Sequence, residues 1–311
     1  MNYSNIERLL PKWLTSSIRQ RASNTLQVEA SQSSQTASAP AASNHLGPFI
    51  EGEDSNTYRA RLIQEIISEF PDCQEAYRII GQEIEALPDP AERLHAPLHE
   101  VRYLMTYAMS PPGPGVLVDV GASSIYAAPL ERLKKWTIKP VPTLAIDYET
   151  DRLPFADASV DGVLMCEVLE HFVLDPLHCI IEINRILKPD GFLLLTTPNV
   201  ASWYSIYRAL QQQHPSRWPV YAWNVANSKN HIHAREYLVS ELELLLTAGG
   251  FHDVVSTTKD YGIAPPYRPI GGFAGNDRGE TIFCRAYKAG PPRKRSVQPI
   301  YLHDVDFSGP T

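Results

Sequence analysis

A short stretch in the middle of the chain constrains the fold more than any other segment. Residues 116–124 read VLVDVGASS, an apolar run with one acid followed by a turn of small residues. Such a run is typical of a parallel strand that helices cover on both faces. Residues 125–136 are compatible with a helix. A strand, a small-residue turn and a helix in this order begin a nucleotide-binding α/β fold, whose ligands bind beyond the carboxyl ends of the strands.

Further motifs follow in a fixed order. They are VDVGAS at 118–123, LPFADASVD at 153–161, CEVLEH at 166–171, EINRILKPDGFLLLTTPN at 182–199, and HAREY at 233–237 with LLLTAGGF at 244–251. Together they resemble class I S-adenosylmethionine-dependent methyltransferases, in particular bacterial enzymes often found with polysaccharide and lipopolysaccharide genes. The resemblance covers residues 103–288. It implies a Rossmann-like, doubly wound α/β fold with a mostly parallel sheet, a final antiparallel strand and a helical N-terminal extension.

Composition narrows the function classes. The chain has 28 basic and 35 acidic residues, a net charge of −7, which disfavours nucleic acid as a partner. Its four cysteines are widely spaced without a C-x-x-C pair, which fits neither a disulfide framework nor a zinc site and indicates a reducing compartment. No run approaches the ~18 apolar residues of a membrane span. The N-terminus also lacks a signal peptide's apolar core. We expect a cytoplasmic protein.

The composition also predicts the domain organisation. Residues 1–22 form either a short amphipathic helix that docks on a membrane surface or partner, or a poorly ordered terminal helix, because an interior proline costs about 3 kcal/mol. Residues 23–50 are rich in Ser, Ala and Gln and predict a disordered linker. The remaining predictions are a helical extension covering the core at 51–110, a methyltransferase domain at 111–290 and a C-terminal tail at 291–311.

The turn after the first strand is predicted to bind the methionine end of the cofactor. Asp119 lies in an apolar strand and therefore needs partners such as the N–H groups of the turn. The resemblance implies that Asp119, Gly121, Ala122 and Ser123 hold S-adenosylmethionine, whereas the alternative is that Asp119 only caps its own turn. The usual three glycines are reduced to Gly121, which argues against a dinucleotide, whose pyrophosphate needs a closely approaching backbone.

Asp147 ends a predicted strand, TLAID at 143–147, that has two interpretations. As the family's second strand it would place Asp147 at the ribose hydroxyls. As the third strand, which the motif register favours, it would place Asp147 near the adenine and leave the ribose acid missing or replaced. Asp147 is a cofactor contact in both. The resemblance adds Leu153, which opens LPFADASVD, and Glu167, which follows the strand predicted at 162–166.

Two histidines and an arginine are the predicted catalytic residues. His171 is either a base or orienting group beside the nucleophile, or a cap on the following helix. His233 and Arg235 match the family's H-x-R-E-Y pattern and are candidates for binding the acceptor or for acting as the general base. Histidines at i and i+2, as at 231 and 233, do not form a helical metal pair, and no carboxylate spacing completes a site, so no metal is predicted.

The predicted substrate side is an insertion at 200–235. It is crowded with Trp and Tyr, whose rings suit a sugar ligand, or alternatively pack on the core as a lid. The sequence thus predicts an S-adenosylmethionine-dependent methyltransferase of polysaccharide biosynthesis that O-methylates a glycan, a lipid-linked sugar or a small-molecule hydroxyl. No nucleic acid partner or transmembrane segment is expected, and peripheral membrane contact is open only to residues 1–22.

Two alternatives from other classes stay open. A catalytically impaired methyltransferase-like fold acting as a binding or scaffold module is motivated by the lost glycines and the short second strand–helix unit. A nicotinamide oxidoreductase is opposed by the absence of G-x-G-x-x-G after the first strand.

Overall fold

A computed structural model of the protein describes residues 52–143, 145–219, 221, 232–262 and 277–292. The predictions for 1–22 and 23–50 and for nearly all of 291–311 lie outside these residues. The described residues form a six-stranded sheet flanked by helices. Its strands are β1 Gly115–Val120, β2 Trp136–Val141, β3 Val160–Cys166, β4 Leu187–Pro198, β5 Phe251–Lys259 and β6 Thr281–Lys288.

The strand order, β2-β1-β3-β4-β6-β5, confirms the predicted fold class. Strands β1 to β4 are parallel, whereas β6 is antiparallel to both β4 and β5. The chain runs outward from β1 to β2 and then returns to β3 on the other side of β1. In a doubly wound sheet such a reversal of strand order opens a crevice beyond the carboxyl ends of the strands.

Eight α-helices lie in the described residues. They are α1 Ser55–Glu69, α2 Cys73–Glu85, α3 Pro90–His95, α4 Glu100–Met109, α5 Ser124–Arg132, α6 Leu177–Ile186, α7 Trp203–Leu210 and α8 Val239–Ala248. Two 3-10 helices, Ala96–His99 and Leu169–His171, precede α4 and follow β3. No helix in these residues combines the length and the apolar character that crossing a membrane requires.

Helices cover both faces of the sheet, and neighbouring residues of a strand point to opposite faces. Leu117, Leu164 and Leu194 pack against α1, α2, α4 and α5. Their chain neighbours Val118 and Val163 pack instead against α6 and α8. This two-sided burial explains why the strands contain the apolar runs 116–118, 163–165 and 192–195.

The predicted strand TLAID is wrong in both of its interpretations. Residues 145–150 are turns and bends, and the second strand is β2, at Trp136–Val141, which pairs in parallel with β1 from Gly115 to Val120. Helix α5 ends at Arg132, earlier than the predicted Trp136, and frees these residues for the strand. Pro140 is tolerated because β2 is an edge strand, where a missing N–H breaks no ladder hydrogen bond.

Candidate functional site

A cavity of about 490 Å³, called here the first cavity, opens beyond the carboxyl ends of β1 and β3. It lies at the reversal of strand order, where ligands bind in folds of this kind. Four residues predicted from the sequence line it together. The full lining is Gly121, Thr143, Ile146, Asp147, Tyr148, Glu149, Cys166, Glu167, Val168, His171 and Phe172.

Asp119 supports the turn that borders this cavity. Its side chain is buried and accepts hydrogen bonds from the Ser123 N–H at 2.8 Å and from the Tyr126 hydroxyl at 3.0 Å. The turn N–H partner expected from the sequence is therefore present. Burial raises the pKa of the Asp119 carboxyl to about 6, although these two hydrogen bonds oppose the rise.

Gly121 makes the turn possible at its tightest point. Its φ is +103°, and a Cβ there would lie 2.8 Å from Cγ2 of Val168. Its N–H is shared between the Val141 carbonyl at 3.0 Å and the Tyr148 hydroxyl at 3.1 Å. The Tyr148 hydroxyl in turn donates to that carbonyl, so the end of β2, the turn and the loop after β2 are tied together.

Asp147 reaches the first cavity from the loop after β2. Its carboxylate accepts the Glu149 N–H at 3.1 Å, and its own N–H donates to Asp151 at 2.8 Å. Glu149 also lines the cavity, is buried, and accepts the Leu174 N–H. Sequence reasoning missed Glu149, for which the only signal is its position two residues after Asp147.

Glu167 occupies a strained position at the end of β3. Its φ is +55°, a conformation that costs a residue other than glycine about 1–3 kcal/mol and that clusters at functional sites. Its carboxylate accepts the hydroxyls of Thr196 at 3.0 Å and Tyr261 at 2.9 Å, and pairs with Arg102 at 3.3 Å. Sequence reasoning missed Arg102 and Tyr261, which come from α4 and from the segment after β5.

The predicted catalytic histidines meet although they come from distant segments. The rings of His171 and His233 are T-shaped with centroids 5.2 Å apart. Nδ1 of His171 lies 2.7 Å from the Ile232 carbonyl, and Nδ1 of His233 lies 3.3 Å from the Glu236 carboxylate. Because these oxygens only accept, each Nδ1 carries the proton, and the lone pair of the neutral ring is on Nε2.

Glu170 lies beside the two histidines. One carboxylate oxygen accepts the Thr197 hydroxyl at 3.0 Å. The other, Oε1, is buried and has no hydrogen-bond partner in the part of the chain that the structure describes; it lies 4.0 Å from Nε2 of His171. Burial raises the pKa of Glu170 to about 7. Together with His171 and His233, it forms the Glu-His-His cluster.

The other predicted site residues lie away from the first cavity. Arg235 pairs with Glu241 and lies over the Tyr237 ring, and its backbone N–H donates to the Glu170 carbonyl at 3.2 Å. Leu153 is buried in the core. Ala122 and Ser123 line a separate cavity of about 310 Å³.

A second cavity, of about 480 Å³, lies on the other side of the cluster. Trp218 lines it and packs on His233 with ring centroids 5.3 Å apart, and Glu236, the partner of His233, lines it as well. Because His171 lines the first cavity, the cluster joins the two. The full lining is His95, Leu98, His99, Pro198, Asn199, Ser202, Tyr204, Ser205, Pro215, Arg217, Trp218, Glu236, Tyr261 and Glu280.

An ion pair marks the floor of the second cavity. Arg217 contacts the Glu280 carboxylate at 2.6 Å, and the Tyr261 N–H donates to the other oxygen at 3.1 Å. Burial, with the neighbouring Asp260, raises the pKa of Glu280 to about 7, although Arg217 opposes the rise.

Comparison with solved structures finds distant likenesses. A SAM-dependent methyltransferase from Thermotoga maritima is 20% identical, with 68% of this chain and 99% of that chain covered and a TM-score of 0.41. One from Archaeoglobus fulgidus is 13% identical, with 60% and 90% covered and a TM-score of 0.40. One from Aquifex aeolicus is 16% identical, with 67% and 97% covered and a TM-score of 0.38. At these scores they carry no argument about ligand or reaction.

Comparison with protein families is more direct. No curated protein matches the chain. Residues 115–195, from β1 to the last turns of β4, match a family model described as a methyltransferase domain. This is the span that contains every residue lining the first cavity. Over this span, about a quarter of its length, the chain is therefore similar to a methyltransferase domain.

Proposed function

We propose that the protein methylates a hydroxyl group of a glycan, a lipid-linked sugar or a small molecule. The observation that carries the proposal is the position of the Glu-His-His cluster between two cavities of similar size. One cavity lies inside the methyltransferase domain and the other outside it. A donor in the first cavity and an acceptor in the second would meet at this cluster.

The first cavity fits the cofactor. A volume of about 490 Å³ falls within the range of small-molecule sites. At Gly121 the backbone itself borders the cavity, and a Cβ there would collide with Cγ2 of Val168, so this turn requires glycine. Asp147 is the first acid after β2 and is therefore our candidate for the ribose hydroxyls, with Glu149 beside it. Ile146 and Phe172 offer apolar surface to the adenine.

The residues of the cluster would handle the proton. When bound, S-adenosylmethionine supplies an activated methyl group on a sulfonium. Because Nδ1 of each histidine is held by an acceptor, Nε2 of His171 or His233 can take the proton of the acceptor hydroxyl. Trp218 and the buried Glu236 limit the access of water to His233. Arg235 acts indirectly in this proposal, since its backbone N–H holds Glu170 in place.

The second cavity supports a hydroxyl-rich acceptor. Tyr204, Trp218 and Tyr261 offer aromatic faces, and Arg217 offers a polar group in the same cavity. Aromatic rings with polar groups between them suit a sugar, whose C–H faces pack on rings while its hydroxyls form hydrogen bonds. The assignment to polysaccharide biosynthesis rests on the sequence resemblance.

Calorimetric titration with S-adenosylhomocysteine tests the donor half. Wild-type protein should bind it, and Asp147→Asn should weaken binding about tenfold, because a hydrogen bond to a charged group contributes about 1.5–3 kcal/mol. Asp190→Asn, at an exposed position with φ of +61° that asparagine tolerates, is the matched control and should leave affinity unchanged.

The outcomes separate the competing hypotheses. Folded protein that does not bind S-adenosylhomocysteine would overturn the proposal, and a thermal shift with NAD(H) instead would favour the oxidoreductase. Binding without methyl transfer to any fraction of a cell lysate would favour a scaffold module.

A further inference from the structure

We propose that Glu170, His171 and His233 form a binding site for a divalent transition-metal ion such as Zn²⁺. One potential ligand atom from each residue lies within 4.8 Å of the other two. Glu170 and His171 come from the 3-10 helix after β3, whereas His233 comes from the segment that precedes α8. The site therefore exists only in the folded chain.

The donor set has the chemistry of a transition-metal centre. Two imidazole nitrogens and one carboxylate oxygen are the protein ligands of many catalytic zinc sites, which leave a further position open for water or substrate. Metal-binding histidines nearly always donate their other ring N–H to a carbonyl or carboxylate, which fixes the tautomer and the ring orientation. Both histidines here do so, His171 to the Ile232 carbonyl and His233 to Glu236.

Glu170 supplies an independent indication. It is 1% exposed, and its Oε1 faces the histidines without a hydrogen-bond partner among the described residues. A buried carboxylate oxygen is costly unless it is paired or binds a metal ion. Thr197 holds the other oxygen and so restricts the orientation of Oε1.

The spacing leaves room for an ion. Nε2 of His171 and Oε1 of Glu170 are 4.0 Å apart, too far for a direct hydrogen bond. Ligands about 2.1 Å from a tetrahedral zinc are roughly 3.4 Å from one another. Since the three ligand atoms lie within 4.8 Å of one another, each pair needs to close by at most about 1.4 Å, which small side-chain rotations achieve.

The site deepens the proposed function, on which its catalytic meaning rests. A hydroxyl oxygen bound at the open position would lose its proton to water near neutral pH, because a divalent ion lowers the pKa of a bound hydroxyl. That oxygen then forms the new C–O bond as the methyl–sulfur bond of the donor breaks. The products are the methyl ether, S-adenosylhomocysteine and one proton. His171 and His233 then serve as ligands, and the ion replaces them in activating the hydroxyl.

Calorimetric titration of chelator-treated protein with Zn²⁺ tests the site without any turnover. Wild-type protein should bind one Zn²⁺ with micromolar affinity or better. Glu170→Gln, which keeps the shape of the side chain, and His233→Ala should each weaken binding at least tenfold. His252→Ala, which removes a half-exposed histidine on β5, is the matched control and should bind as wild type does. Circular dichroism confirms that each variant is folded.

A parallel titration with S-adenosylhomocysteine separates this proposal from the proposed function. Retained S-adenosylhomocysteine binding with no Zn²⁺ binding, or Zn²⁺ binding that Glu170→Gln and His233→Ala leave unchanged, overturns the metal site alone. Zn²⁺ binding that the variants abolish, without S-adenosylhomocysteine binding, leaves the site standing and overturns the methyltransferase. Substitution by Co²⁺ should add visible absorption bands, and these should disappear in Glu170→Gln.

Discussion

The two cavities are nearly equal in volume but are built from different parts of the chain. Every residue that lines the first cavity lies within 115–195, the span that matches the methyltransferase domain. Every residue that lines the second cavity lies outside that span. The second is contributed by the helices before β1, by the insertion after β4 and by the loop between β5 and β6. In the proposed function, the domain supplies the donor side, and the elements around it supply the acceptor side.

The cavities also differ in how they hold their buried acids. Asp119, below the first cavity, is satisfied by neutral donors from Ser123 and Tyr126. Glu280, at the second cavity, is paired with Arg217. A neutral donor set permits a carboxyl to keep its proton, whereas an adjacent cation favours the ionised form. Burial raises the pKa of both carboxyls, but at Glu280 the Arg217 cation opposes the rise, whereas at Asp119 only neutral donors do. The turn of the first cavity should therefore be one part of the molecule whose contribution to stability depends on pH.

The largest effect we predict is on the pH dependence of folding. The pKa of Asp119 rises from 3.8 to about 6 on folding. The folded state therefore keeps a proton that the unfolded state releases, and stability falls as pH rises from about 4 to about 6, by about 3 kcal/mol. Asp119→Asn removes this titration and should flatten the pH dependence of the free energy of unfolding by that amount. Urea denaturation at intervals between pH 4 and pH 7 measures it.

Comparison with a surface variant isolates the effect. Asp190→Asn should show the wild-type dependence, and Glu280, whose pKa also rises, should leave a residual slope in both variants. If Asp119→Asn loses as much stability with rising pH as wild-type protein does, the buried carboxyl is ionised throughout and the contrast between the two cavities fails.

Gly121→Ala should weaken ligand binding in the first cavity and leave the second cavity unchanged. Alanine is strained at a φ of +103°, and its Cβ would meet Cγ2 of Val168 at 2.8 Å. The free protein can relieve this strain, about 1–3 kcal/mol, by moving the turn away from the ligand-binding conformation. Binding must then restore the strained turn, so we expect about 30-fold weaker binding of S-adenosylhomocysteine in calorimetry. Zn²⁺ binding at the Glu-His-His cluster should stay within threefold of wild type.

Gly81→Ala is the matched control. A Cβ at Gly81 would meet nothing within 4 Å, and the position lies inside α2. Alanine there should leave S-adenosylhomocysteine affinity unchanged and raise stability by about 0.5–1 kcal/mol. If folded Gly121→Ala protein binds S-adenosylhomocysteine with wild-type affinity, the turn does not contribute to ligand binding.

The sequence analysis located strands that are buried on both faces and missed β2, one of the two edge strands. Strands β1 and β3 lie within a few residues of the apolar runs that predicted them, because buried strands leave such runs in the sequence. Strand β2 alternates between buried and exposed positions and contains Pro140, so it has little apolar signal. TLAID has that signal, but its residues 145–147 lie in no strand, and Ile146 packs on the core.

The site could be predicted where it depends on the end of a single strand. Gly121 and Glu167 directly follow β1 and β3, so a local pattern identified them. Arg102 contacts Glu167 from α4, and no spacing along the chain indicates that approach. Our expectation of no metal rested on the spacing of histidines and carboxylates along the chain, and it stays a prediction that the Zn²⁺ titration tests. The fold instead brings His233 beside Glu170 and His171.

The smallest effect on the donor side should come from Trp218. Its side chain lines the second cavity, is half exposed and packs on His233. Trp218→Leu should change S-adenosylhomocysteine affinity less than twofold, because no atom of the first cavity is lost. For any hydroxyl compound that the wild-type protein methylates, Trp218→Leu should raise KM three- to tenfold and leave kcat unchanged. An aromatic contact of about 0.5–1.5 kcal/mol is lost, which corresponds to a change in affinity of this size. A tenfold loss of S-adenosylhomocysteine affinity would instead mean that the cavities are coupled through His233, and donor and acceptor sides would no longer be separable.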